Sequence, residues 1–166
     1  MGAWGPGLYS DDVTEDVRGI YVDKLHRGKN GEQASKEMIA EFEWACSDED
    51  DAPVFWFAMA DMQWNYGRLQ EEVKKKALYY LDDMKNLQRW EHENLKMSEK
   101  RKQVLNELRK KLNTLQPSEK KVSQYRLYHC QWKVGDMYAY QLEGEYAKER
   151  GLNGKYLLFY KIAESI

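Results

Sequence analysis

Cysteine occurs only at Cys46 and Cys130 in 166 residues, far apart and without a Cys-x-x-Cys spacing. That scarcity argues against a disulfide framework or a zinc ligand set and fits two reduced thiols. No apolar run reaches the length of a membrane-spanning helix. The N-terminus lacks a basic stretch followed by an apolar one, so no secretory signal is expected and the expected location is cytoplasmic. Catalytic signatures are missing too: there is no Gly-x-Ser-x-Gly, no His-Glu-x-x-His and no Rossmann glycine pattern. His26, His92 and His129 are scattered, and His129 and Cys130, as neighbours on a strand, would point to opposite faces, which counts against a thiol nucleophile. Internal repeats and low-complexity segments are absent.

Net charge is small: 26 Lys and Arg against 28 Asp and Glu leave −2. Its distribution is uneven. Residues 1–51 hold 13 acidic and 5 basic side chains, a net of −8, and residues 96–126 hold 10 basic and 3 acidic, a net of +7. Such segregation fits self-complementary packing, oligomer contacts or a charged partner.

What is present is organised around residues 53–66, the one long stretch that is apolar nearly all round. A helix of that kind belongs inside a domain. Pro53 suits its first position and Gly67 the residue past its end. Before it, Asp12 and Glu15 read as a capping box, with Val13, Val17, Ile20, Tyr21 and Leu25 on one stripe. A second helix is expected from about Glu32 to Ala45, burying Ala34, Met38, Ile39, Phe42 and Ala45. The acids between Ser47 and Asp51 read as a cap at the positive end of the central helix dipole, the alternative being a metal loop without the spacing of calcium sites.

After Gly67, one amphipathic helix is marked by Leu69, Val73, Ala77, Tyr80 and Leu81, and a short piece by Leu87, Trp90 and Leu95. A further stripe, Val104, Leu105, Leu108, Leu112 and Leu115, runs up to Pro117. Beyond Ser118 the aromatic stretches 125–132, 136–142 and 155–162 read as short strands, with Gly135 as a bend, a helical turn at 145–150 and Asn153-Gly154 as a tight turn. The expected fold is mainly α: a multi-helix body around the central helix 53–66, with a small antiparallel β tail, α+β overall. Residues 1–116 form the helical domain with its glycine-rich leader. Residues 117–166 form a β-rich appendage that packs on it or pairs with a partner, self-association included.

The leader, Met1 to Gly7 with the acids Asp11, Asp12 and Asp16 after it, resembles a bacterial family of unknown function opening with Met-Gly-x-Trp-Gly-x-Gly. Ala60 to Trp64 followed by Gly67, Arg68 and Leu69 resembles a second block of that family. Val134 to Leu142 is similar to the first strand of bacterial toxin-immunity proteins, which carry a Gly-Asp-hydrophobic-aromatic-Ala motif. These resemblances bring no catalytic residue. They imply a bacterial or phage accessory protein that binds and neutralises another macromolecule, such as a toxin or nuclease.

Asp61 is the most informative single residue, because it shares a helical stripe with Phe57 and Trp64 instead of facing water. A carboxylate there needs a hydrogen bond or a cation. A Trp ring N–H, a leader backbone group or Arg18 would serve, and a binding or catalytic acid is the alternative. Asp12 and Asp16, four apart, present paired carboxylates that read as caps or as metal ligands. The leader lacks the lysine of a phosphate-binding loop.

Three functions follow. The first is a non-enzymatic protein acting by protein–protein interaction, immunity-like or inhibitor-like, with Trp4, Asp61, Trp64, Arg68, Lys110, Lys111, Trp132, Tyr138 and Tyr140 as candidate interaction residues and no cofactor. The second is nucleic-acid binding through the basic 96–126 face, where Lys100, Arg101, Lys102, Arg109, Lys110 and Lys111 are expected outside. The third is a metal-assisted hydrolase built on Asp12, Asp16 and Asp61.

Overall fold

Ala52 to Gln63 are buried without interruption, and this decides the architecture. A helix with no polar face cannot lie on a surface, so other helices must cover it. The computed structural model describes residues 4–83, 87, 90, 95–126 and 130–163. Among them are helices α1 (Asp12–His26), α2 (Gly31–Glu41), α3 (Glu43–Cys46), α4 (Asp51–Asn65), α5 (Glu71–Asp82) and α6 (Leu95–Leu112). Strand β1 (Met137–Gln141), the short helix α7 (Glu145–Glu149) and strand β2 (Tyr156–Tyr160) follow, so the fold is mainly α with a small antiparallel pair.

Central α4 is packed by α1, α3, α5 and α6. Phe55, Phe57 and Met59 meet Val17 and Tyr21 of α1, Met38 of α2, Val73 and Ala77 of α5 and Leu105, Leu108 and Leu112 of α6 in one core. The helix begins at Asp51, two residues before the expected start, with Pro53 still in the first turn, where no backbone donor is lost. Asp48 performs the capping, its Oδ1 accepting from the N–H groups of Asp50 at 2.8 Å and Asp51 at 3.0 Å. At the other end the N–H of Gly67 reaches Trp64 O at 3.0 Å and that of Arg68 reaches Gln63 O at 2.8 Å, a Schellman closure. Gly67 has φ +66, and a Cβ there would lie 2.4 Å from the Pro117 carbonyl oxygen. Only glycine meets both demands.

Several expectations need correction. The N-cap of α1 is Asp11, whose side chain accepts from Val13 N, so Asp12 is already helical. The 32–45 helix breaks at Phe42, which leaves helical geometry at φ −103, ψ 25 and packs 5.5 Å from Phe55. Leu115 lies beyond the end of α6 and is 93% exposed. The described residues of 125–132 are not in a strand. Most of the piece between Leu87 and Leu95, and His92 and His129, lie outside the described residues, although Leu87 and Trp90 are buried.

The chain divides into two compact units, Met1–Tyr125 and Arg126–Ile166. The expected boundary falls earlier, after Gln116, but the segment that follows is bonded to the helices: Lys120 N to Tyr66 O at 3.0 Å and Tyr125 N to His26 O at 2.8 Å. In the second unit β1 and β2 pair from Met137 opposite Tyr160 to Gln141 opposite Tyr156. Every residue of both strands is exposed, and Ala147 is the buried side chain of this unit among the described residues.

Candidate functional site

Two polar side chains interrupt the buried length of α4, Asp61 and Gln63. Gln63 ties α4 to α2 and to the start of α5, donating to Ser35 Oγ at 2.6 Å and accepting from Gln70 N at 3.0 Å. Asp61 makes long-range connections. Its Oδ2 accepts from the Tyr9 hydroxyl at 2.7 Å and from Asn65 Nδ2 at 2.8 Å, and its Oδ1 from Lys111 Nζ at 2.5 Å. Lys111 Nζ also donates to Asn65 Oδ1 at 2.8 Å and stands 4.8 Å from the centre of the Trp64 ring. One carboxylate thus fastens the leader and α6 to the central helix.

These partners differ from the expected ones. The leader contributes the Tyr9 side chain instead of a backbone group, and the cation is Lys111 instead of Arg18, which lies over the Tyr9 ring at 5.2 Å. Burial, reinforced by the charge of Asp61 and the hydrogen bond to it, raises the Tyr9 pKa well above the usual tyrosine range, with Arg18 opposing. Tyr9 therefore stays a phenol that donates. Both carboxylate oxygens of Asp61 are thus engaged by protein donors.

The other candidates fall in separate places. Trp4 does not anchor the leader by burying its ring, which is 57% exposed. The leader is held through Tyr9, through Trp4 N to Ser10 O at 3.0 Å, and through Arg101 Nη1 donating to Gly7 O at 2.9 Å. Arg68 joins Glu119 at 2.9 Å and the Lys120 carbonyl at 3.2 Å, bracing the segment after α6. Lys110 is exposed. Trp132 stacks on Tyr138 in the second unit, ring centres 3.3 Å apart, and Tyr140 is exposed on the same strand.

The basic face of α6 is smaller than the sequence suggests. Arg101 is turned inward and 3% exposed, and burial pushes its pKa down to about 10 despite the nearby Asp11. Arg109 bonds Asp82 and the Leu81 carbonyl, and Lys111 bonds Asp61. Lys100, Lys102 and Lys110 remain exposed, half of the expected set. Asp12 and Asp16 share α1, but no three His, Cys, Asp or Glu side chains among the described residues could hold a metal ion together. Among the described residues no helix is long and apolar enough to cross a membrane.

Sequence reasoning did not find the groove of about 750 Å³ beside the Asp61 anchor. One wall is α1, from Glu15 and Arg18 past Gly19 and Val22 to His26. Tyr9, Met62, Asn65, Tyr66 and Tyr125 form the other. His26 Nδ1 lies 2.6 Å from the Ser123 carbonyl, to which it donates, and its ring stacks on Tyr125 at 5.0 Å. Gly19 is unexpected inside a helix, where glycine costs about 1 kcal/mol relative to alanine. A Cβ there would meet nothing within 4 Å, so packing does not require the glycine. The sequence signal that was available is this unexplained glycine in the middle of an amphipathic stripe.

No family model, curated protein or solved structure matches the chain.

Proposed function

We propose that the chain is a non-enzymatic protein that acts in the cytoplasm by binding another protein, in the manner of an immunity protein or inhibitor, with the β1–β2 hairpin as its contact surface. One observation carries this reading: both faces of the hairpin are apolar and exposed. Directly paired residues share a face, so Tyr138 and Tyr140 stand with Phe159 and Leu157, and Trp132 extends that side by stacking on Tyr138. Met137, Leu158, Tyr156 and Tyr160 occupy the other face. Trp132, Tyr138, Tyr140, Leu157 and Phe159 border a groove of about 450 Å³.

A two-stranded hairpin is marginal in water by itself, and aromatic side chains concentrated on an exposed surface are the usual anchors of protein interfaces. The similarity of Val134 to Leu142 to an immunity-protein strand supports a toxin or nuclease as the partner. Two half-buried, unbridged cysteines fit a reducing compartment. Nucleic-acid binding through α6 is weakened by the diversion of Arg101, Arg109 and Lys111 to internal contacts, and a metal-assisted hydrolase by the closure of Asp61.

The test compares the full chain with a Tyr138→Ser, Phe159→Ser variant as baits in lysate of a host that carries the gene, together with the oligomeric state of each purified protein. Truncating central interface aromatics typically costs at least about 2 kcal/mol each, roughly thirtyfold in affinity. The expected result is a stoichiometric protein partner retained by the wild type and lost by the variant. Equal capture by both, or no partner at all, contradicts the proposal. A dimer that only the wild type forms would reassign the surface to self-association.

A further inference from the structure

Independently of the hairpin, we propose that the groove between α1 and the end of α4 binds a small zwitterion with an apolar body, of the charge spacing of a dipeptide. Its volume of about 750 Å³ is that of a small-molecule site. Most charges around it are spent internally. Asp23 pairs with Arg27 at 2.6 Å, and Asp61 with Lys111.

Glu15 and Arg18 are different. Both line the groove, and neither has an ion pair among the described residues. Arg18 lies over the Tyr9 ring, whose hydroxyl is fixed by Asp61, so the guanidinium is held at the groove with its N–H edges available for a carboxylate. Glu15, one helical turn away, supplies the opposite charge. Residues three apart on a helix place their Cβ atoms about 5–6 Å from each other. A dipeptide separates its ammonium and carboxylate by at most about 7 Å. Both ends of such a ligand therefore lie within reach of these two long side chains.

The apolar body has a place as well. Gly19, adjacent to Arg18, adds no side chain to the groove, and Val22 and Met62 contribute apolar lining. At the far end His26 donates its Nδ1–H to the Ser123 carbonyl, which leaves Nε2 as an acceptor for an amide or ammonium N–H. A net-neutral pair of charges on α1 and the apolar side chains of Val22 and Met62 favour a ligand with both charges and an apolar side chain.

Calorimetric titration of the full chain with L-leucyl-L-phenylalanine tests this, with its N-acetyl and C-terminal amide derivatives as ligands lacking one charge each. The wild type is expected to bind the dipeptide with a Kd at or below about 1 mM. Blocking either end, or introducing Arg18→Gln or Glu15→Gln, weakens binding by about tenfold or more. Gly19→Leu, whose side chain enters open space, abolishes binding with the helical circular dichroism unchanged. Absence of binding at about 1 mM overturns the proposal. So does binding that neither the blocked ends nor the variants affect.

Discussion

Replacing Asp61 by Asn keeps the shape of the side chain and removes its charge. Three donors converge on the carboxylate, from Tyr9, Asn65 and Lys111. An amide offers them a single oxygen, and its own N–H groups face donors. Breaking a buried ion pair from one side typically costs about 3–5 kcal/mol. Here the Lys111 side chain is 26% exposed, so the ammonium retains some water. Discounting for that exposure gives about 2 kcal/mol. With a urea dependence of about 2 kcal/mol per M, the unfolding midpoint falls by about 1 M. Tryptophan fluorescence reads the transition, since Trp56 and Trp64 lie on the same helix. The double variant Asp61→Asn, Lys111→Met is less destabilised than the sum of the single variants, by about 1–2 kcal/mol of coupling. An Asp61→Asn midpoint within about 0.2 M of wild type, or strict additivity, refutes the view that this carboxylate fastens three elements.

Gly67→Ala places a side chain at φ +66 and against the Pro117 carbonyl. The conformational and steric costs together predict a loss of about 2–4 kcal/mol, seen as a lower thermal midpoint. Acid titration has a defined sign at Glu37, whose pKa is held below the usual glutamate value of 4.5 by hydrogen bonds from Lys29 and Lys24. A depressed folded-state pKa gives stability that is fully present above the unfolded value and is lost as pH falls through the folded one. The wild type therefore loses more stability below pH 4.5 than a Glu37→Gln variant does, measured by urea midpoints across that window.

The core was legible in the sequence because burial follows periodicity. Residues 53–66 are apolar all round, and the Leu105, Leu108, Leu112 stripe recurs at helical spacing. The polar connections were less so. Arg101 and Lys111 count as surface charges in any helical pattern, yet their long side chains carry the charged ends inward to Gly7 and Asp61. Asn65 was within reach of inference, four residues after Asp61, whereas Tyr9 is 52 residues away and only the fold brings it there. The aromatic stretch from Tyr125 illustrates a different limit. Strand propensity is a preference for a pleated, half-buried surface, and Tyr125 is used to stack on His26 instead.

Amide hydrogen exchange on the dilute full chain tests the proposal that the hairpin is a surface completed by a partner. Rapid exchange is expected from Met137–Gln141 and Tyr156–Tyr160, strong protection along α4, and hairpin protection that appears only with bound partner. Hairpin amides in the isolated chain protected as strongly as those of α4 would contradict it.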